Sequence, residues 1–229
     1  MTVIDVDLSA LDPDLDRNDL PALVQRRLTG RFTIDEWGLD RDLVRAVTPL
    51  TRLRWELRIE GEHVLPEIGP ALLVHSRQIG LSEPIVLAAA VARATDRPLR
   101  WAGSPDWGPL APLARRLGTV PGNSADLRSL LRAGEVVGLP LGREILHPFH
   151  VGPVPVGPVS AAIEAGVPII PVAVLGFEVG RWWTVRFGRP LPTRRSRGVV
   201  EAGELAAATR QRLQHLLTAS RRTPGARKP

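Results

Sequence analysis

The chain of 229 residues has no cysteine and no tyrosine, a single methionine, and only 4% aromatic residues. Without cysteine there is no disulfide framework, no thiolate metal site and no cysteine nucleophile, and a cytoplasmic setting is the expectation. No apolar run approaches the ~18 to 20 residues that a membrane-spanning helix needs, and the first 19 residues are acidic rather than basic and then apolar. Neither a span nor a signal peptide is therefore expected. Helix-turn-helix, zinc-finger and RNA-binding aromatic motifs are also missing, so nucleic acid is not an expected partner.

What is present is an ordinary globular balance, 44% hydrophobic and 24% charged, in a length that suits one large domain. The net charge of +6 is unevenly placed. Residues 1–180 carry 18 cations against 22 anions, whereas residues 181–229 carry 12 against 2. The cationic end suits anionic lipid heads, phosphorylated substrates or nucleic acid and does not choose among them; with Trp182 and Trp183 beside Arg181 and no span, peripheral association with an anionic membrane at its inner face is the expectation. Three segments follow: an acidic flexible lead-in (1–17), a folded domain (18–219) and a basic tail (220–229) expected to be disordered.

Within the domain the apolar spacing predicts a pair of N-terminal helices, over 18–30 and 40–49. Leu53, Trp55, Leu57 and Ile59 then alternate with charged residues, the period of a strand with one wet face. Short apolar strands at 71–74, 99–102, 136–139 and 167–175 are separated by helical stretches at 84–94, 109–117, 126–133 and 159–165. An amphipathic strand at 182–187 and a last helix at 201–217 complete the order. The pattern predicts an α/β fold, a mainly parallel sheet covered by helices on both faces, with an antiparallel member near Trp182.

Active groups in such sheets collect in loops at the carboxyl ends of the strands. His75 directly follows Ala71-Leu72-Leu73-Val74, where an imidazole could take a proton from an alcohol if a carboxylate held its ring. A second segment, Gly134 to Glu144, reads as turn, strand and a glycine-bearing loop that presents Arg143, whose fork suits phosphate or carboxylate. A third, Val167-Pro168-Ile169-Ile170-Pro171-Val172, is an apolar strand with two prolines. No metal site is expected.

In this order the segments resemble the glycerophospholipid acyltransferases, the 1-acylglycerol-3-phosphate acyltransferase-like family, over roughly residues 37–217. The family's last block, Val-Pro-Ile-Ile-Pro-Val, stands whole at 167–172. Its histidine matches His75, but Val74 replaces the preceding asparagine and Gly80 stands where the family has the aspartate that orients the ring. Glu83, before Pro84, is either a substitute for that aspartate or an ordinary acidic helix start. The second block reads Gly118-Thr119-Val120-Pro121-Gly122-Asn123, with Asn123 in place of arginine. The third reads Leu139-Pro140-Leu141-Gly142-Arg143, with Leu141 in place of glutamate.

The resemblance implies acyl transfer from acyl-CoA or acyl carrier protein, as co-substrate without a further cofactor, to a hydroxyl of a lysophospholipid or glycerol-type acceptor. His75 would be the general base and Glu83 its orienting group. Arg143 with Gly142, helped by Arg115 or Arg116 and by Gly118 and Asn123, would hold the acceptor. The alternative is a catalytically degenerate homologue that binds lipid or acyl carrier, or serves as a partner subunit. A strand-end histidine facing a cleft would add little packing, so His75→Ala is expected to leave the fold intact.

Overall fold

A computed structural model describes residues 25, 33–77, 82–103, 108–141, 143–144, 147–193 and 199–222. The first expected helix, the acidic lead-in and the last seven residues of the tail lie outside these, except that Gln25 is helical. The second expected helix is α1 (Arg41–Val47), begun by Asp40, whose Oδ1 accepts from the Leu43 N–H at 2.9 Å. A one-turn helix, α2 (Thr51–Arg54), follows. Leu53 is therefore helical and not the first residue of a strand. The strand is β1 (Glu56–Glu60), and its Leu57 and Ile59 pack on the core.

The chain continues through β2 (Ala71–Ser76), α3 (Ser82–Thr95), β3 (Leu99–Ala102), α4 (Ala111–Arg116), β4 (Thr119–Val120), α5 (Ser124–Arg132) and β5 (Val136–Leu141). A short hairpin of β6 (Arg143–Glu144) and β7 (His147–Val151), absent from the sequence-based expectation, leads to α6 (Val156–Ala165), β8 (Ile169–Leu175), β9 (Trp182–Phe187) and α7 (Val199–Arg222). The seven-stranded sheet has the order β1-β9-β8-β2-β5-β3-β4. Every pairing in it is parallel except β8 with β9. The antiparallel member falls where the sequence predicted it, and the strands carrying the three motif segments share one sheet.

The apolar runs of β2 and β8 are buried because helices cover both sides of the sheet. On one face Leu72, Val74, Val137 and Leu139 pack with Leu130 of α5, Val159 of α6 and Leu213 of α7. On the other, Leu73, Val136, Ile170 and Val172 pack with Val86, Leu87 and Val91 of α3. The last helix runs to Arg222, past the expected start of the disordered tail, so Arg221 and Arg222 are helical. The α7 side chains also fix the hairpin: Arg210 Nε donates to the Val151 carbonyl at 2.8 Å, and Gln214 Oε1 accepts from the Val151 N–H at 3.1 Å.

The amino-terminal edge of the sheet is held by charge. Arg100 on β3 is fully buried, its guanidinium bonded to Asp35 and 3.3 Å from Glu135 Oε1, an oxygen that also accepts from Arg41 Nη2 at 2.8 Å. This network ties residues 33–41 to the starts of β3 and β5. Burial would raise the Asp35 carboxyl, but the Arg100 guanidinium and the N–H groups of Leu39 and Trp37 outweigh it and hold the group below its ordinary value. A carboxylate so lowered contributes stability above its unfolded value of about 3.9, and loses it as the pH falls through the folded value. Asp35→Asn should therefore lower the urea midpoint at neutral pH, while the gap from wild type closes below about pH 4.

Candidate active site

His75 is the fifth residue of β2, paired in register with Pro140 of β5 and Val172 of β8. It thus lies inside the strand's last turn of pairing, not after it. Strand alternation turns His75 to the same face as Leu73, the side covered by α3. From β2 the chain leaves through α3 on that face toward β3, whereas from β5 it leaves through the hairpin and α6 on the other face toward β8. The two neighbouring strands send their connections apart, and the carboxyl ends of such a pair are where α/β sheets form their crevice.

The first turn of α3 supplies the partner. Nδ1 of His75 is 2.6 Å from Oε1 of Glu83, and both side chains are buried, 3% and 1% exposed. The contact lies off the line of an aligned N–H···O bond, as catalytic pairs often do before substrate tightens them. Buried charges are costly unless paired, and Glu83 meets two compensations here, the imidazole and the positive end of a 14-residue helix. Glu83 thus opens the helix and also stands beside the imidazole, so both readings of it fit this place.

With Nδ1 turned to Glu83, Nε2 is the ring nitrogen left for chemistry. It lies over Gly138 of β5, where a Cβ built on that glycine would stand 3.5 Å from Nε2 and 3.5 Å from Leu99 Cδ2. Any larger residue at Gly138 would fill the space beside the reactive nitrogen. The start of α3 is itself tied down: both carboxylate oxygens of Glu178, after β8, accept from the Ser82 N–H at 3.1 Å. Glu178 carried no sequence signal, since an isolated loop glutamate has no motif around it.

The other expected site residues separate. Parallel pairing requires α4 to return the chain to the amino-terminal edge, so Arg115 and Arg116, in its last turn, lie at the opposite edge from His75. There the Arg116 carbonyl accepts from the Asp40 N–H at 2.9 Å. Gly118 serves the backbone: its φ is +108°, and a Cβ would come 2.8 Å from the Leu99 carbonyl oxygen. Asn123 follows β4 at the carboxyl edge, but three strands from β2, and it caps α5 with Oδ1 on the Asp126 N–H at 2.9 Å and Nδ2 on Asp126 Oδ2 at 2.7 Å. Arg143 is on β6, just past the end of β5 and thus on the His75 edge, while Gly142 and Gly80 lie outside the described residues. Leu141 and Val74, at the positions of the family's glutamate and asparagine, are buried in the core of the face opposite His75. Arg77, half-buried, follows β2 on the same edge, its N–H bonded to the Leu141 carbonyl at 3.0 Å.

No protein-family model matches the chain. An uncharacterized protein of Mycobacterium bovis and two of Mycobacterium tuberculosis are each 28% identical to it over 190 residues, 70% of this chain. The chain spans about half the length of these relatives, 52%. Among solved structures, the 1-acyl-sn-glycerophosphate (LPA) acyltransferase PlsC from Thermotoga maritima superposes with a TM-score of 0.58, covering 82% of either chain at 15% identity. The chain has the PlsC acyltransferase fold. Within it, His75 and Glu83 stand eight residues apart in sequence.

The burial of the pair corrects the expectation for His75→Ala. Removing the imidazole breaks a buried contact and leaves a cavity beside the Glu83 carboxyl, a change of the kind that typically costs about 3–5 kcal/mol. His75→Ala should lower unfolding free energy in urea by that order. His75→Asn keeps an N–H near the position of Nδ1 and should recover most of the loss, so it is the variant that separates chemistry from folding.

Proposed function

We propose that the chain transfers an acyl group from a thioester, acyl-CoA or acyl carrier protein, to a hydroxyl of a lysophospholipid or glycerol-type acceptor. The observation that carries this reading is the buried contact of 2.6 Å between His75 Nδ1 and Glu83 Oε1 at the sheet's switch point. The acyltransferase fold supports it.

In this mechanism Nε2 of His75 takes the proton of the acceptor hydroxyl as its oxygen attacks the thioester carbonyl. The tetrahedral intermediate then collapses with loss of the carrier thiolate, which takes the proton back from Nε2. No covalent intermediate forms on the protein. Glu83 keeps the Nδ1–H tautomer in place and stabilises the imidazolium that exists between the two transfers. Arg143 and Arg77, whose backbones are on the His75 edge, would meet an anionic group of the acceptor in this reading. Arg115 and Arg116 have no part in it. The protein would work at a membrane surface in the cytoplasm; no helix among the described residues is long and apolar enough to cross a membrane.

A second reading has two observations in its favour. His75 is only 2% exposed, as a purely structural ion pair would be, and the position of the family's glutamate is a core leucine. A catalytically inert lipid or carrier binder would keep such a pair for stability alone.

Glu83→Gln decides between them. If Glu83 orients the base, kcat should fall by orders of magnitude, toward the ~10⁴ seen when a carboxylate behind a catalytic histidine is neutralised, with KM for the acceptor nearly unchanged. The assay is mass spectrometry of lipid products after incubation with a mixed acyl-CoA pool and lysophospholipids. Transfer by the wild type that Glu83→Gln and His75→Asn leave untouched would refute the mechanism. No transfer by the wild type with any donor would favour the inert reading.

A further inference from the structure

The loop between β8 and β9 has its polarity reversed. Phe177 and Val179 are 80% and 89% exposed, and Trp182 at the start of β9 is 65% exposed. Glu178, between the first two, turns inward instead, its carboxylate on the Ser82 N–H and its carbonyl accepting from Arg54 Nη2 at 3.3 Å and Ser82 Oγ at 3.4 Å. A soluble loop gains by doing the opposite. The reversed arrangement is also pinned: Arg54 Nη1 holds the Gly180 carbonyl at 3.0 Å, and the Gly180 N–H closes a turn on the Phe177 carbonyl at 2.8 Å. Outward presentation of the apolar side chains is thus a built feature of the loop.

We infer that this loop seats the protein on a lipid bilayer, with Phe177, Val179 and Trp182 entering the boundary between headgroups and acyl chains. Two guanidinium groups rim the apolar tip. Arg54 is exposed, and among the described residues it bonds only backbone carbonyls of this loop and stacks on Trp55 at 5.5 Å, so its charge is not neutralised by a carboxylate. Arg181 is 58% exposed and paired with Glu56 at 2.8 Å, so Arg54 supplies the rim's net charge. An apolar tip with aromatic residues and a cationic rim complements the phosphate layer above an acyl interior. A narrow hairpin tip fits a yielding lipid surface better than the broad, flat patch by which a second protein is held. The inference rests on the acyl-transfer reading only in supplying a reason for the docking, since the loop follows β8 on the His75 edge and would present that edge to a lipid acceptor.

Co-sedimentation with vesicles of phosphatidylcholine and a minority of phosphatidylglycerol tests it. A Phe177→Ala, Val179→Ala, Trp182→Ala triple variant should bind weaker by about tenfold or more, with an unchanged thermal midpoint. The deficit should persist at about 0.5 M salt, where charge attraction is screened. Ile68→Ala, 92% exposed before β2 at the opposite edge, should bind as the wild type. Trp182→Phe should keep binding but lose quenching by brominated acyl chains. Equal binding of the triple variant and wild type, at low or high salt, overturns the inference, as does absence of wild-type binding. So does a wild-type dimer that ignores vesicles and is broken by the triple variant, which would make the tip a self-association surface. His75→Asn should bind vesicles normally whatever its activity, and the triple variant should still acylate a water-soluble monomeric acceptor, so loss of docking and loss of the acyl-transfer reading are distinguishable.

Discussion

Putting a carboxylate and an imidazole together inside the protein obliges the surrounding chain to hold them to within a fraction of an ångström, because neither is tolerated there alone. Glu83 lies in the first turn of α3 and His75 on the most central run of the sheet, so the strand and the helix must meet at a fixed place. Pairing of β2 with β5 and β8 on both sides fixes the first. The second is fixed by burial of Val86, Leu87 and Val91 against the sheet and by Glu178 on the Ser82 N–H. Gly138 brings the β5 backbone close under the ring, where a Cβ would stand 3.5 Å from Nε2. Under the proposed mechanism, Nε2 is then the nitrogen that would meet a reacting group.

The two edges of the sheet divide the work. At the amino-terminal edge, Arg100 is surrounded by Asp35, Glu135 and, through Glu135, Arg41, which closes that end and anchors residues 33–41. At the carboxyl edge stand His75, Glu83, Arg77 and Arg143, with the β8–β9 loop beside them. Charge ties the chain together at one edge, and at the other it surrounds the proposed site.

Much of this was legible in the sequence, for identifiable reasons. Buried parallel strands are continuous apolar runs, so β2, β5 and β8 stood out. A Glu-Pro pair opening a helix after a strand-end histidine marked Glu83 as a candidate, and its longer side chain and later position still reach the ring. The motif-based choice of Arg115, Arg116 and Gly118 failed because sequence proximity to a block does not show which way a connection runs, and α4 carries those residues back to the other edge. Asn123 was engaged by Asp126 three residues on, a capping pattern visible in Asn-Ser-Ala-Asp but outweighed by the resemblance. The alternation of apolar and charged residues runs on through a one-turn helix, so Leu53 reads as strand in sequence but is helical. The polarity of the β8–β9 loop was illegible, since only coordinates show that Glu178 turns in and its neighbours turn out.

The central claim is that Glu83 sets the tautomer of His75. Nitrogen-15 NMR of the imidazole rings measures this directly. The chain has five histidines, and His75→Asn identifies the resonance. The account predicts that His75 carries its proton on Nδ1, and that Glu83→Gln shifts the ring toward the Nε2 tautomer. A His75 protonated on Nε2, or a spectrum indifferent to Glu83→Gln, would contradict it.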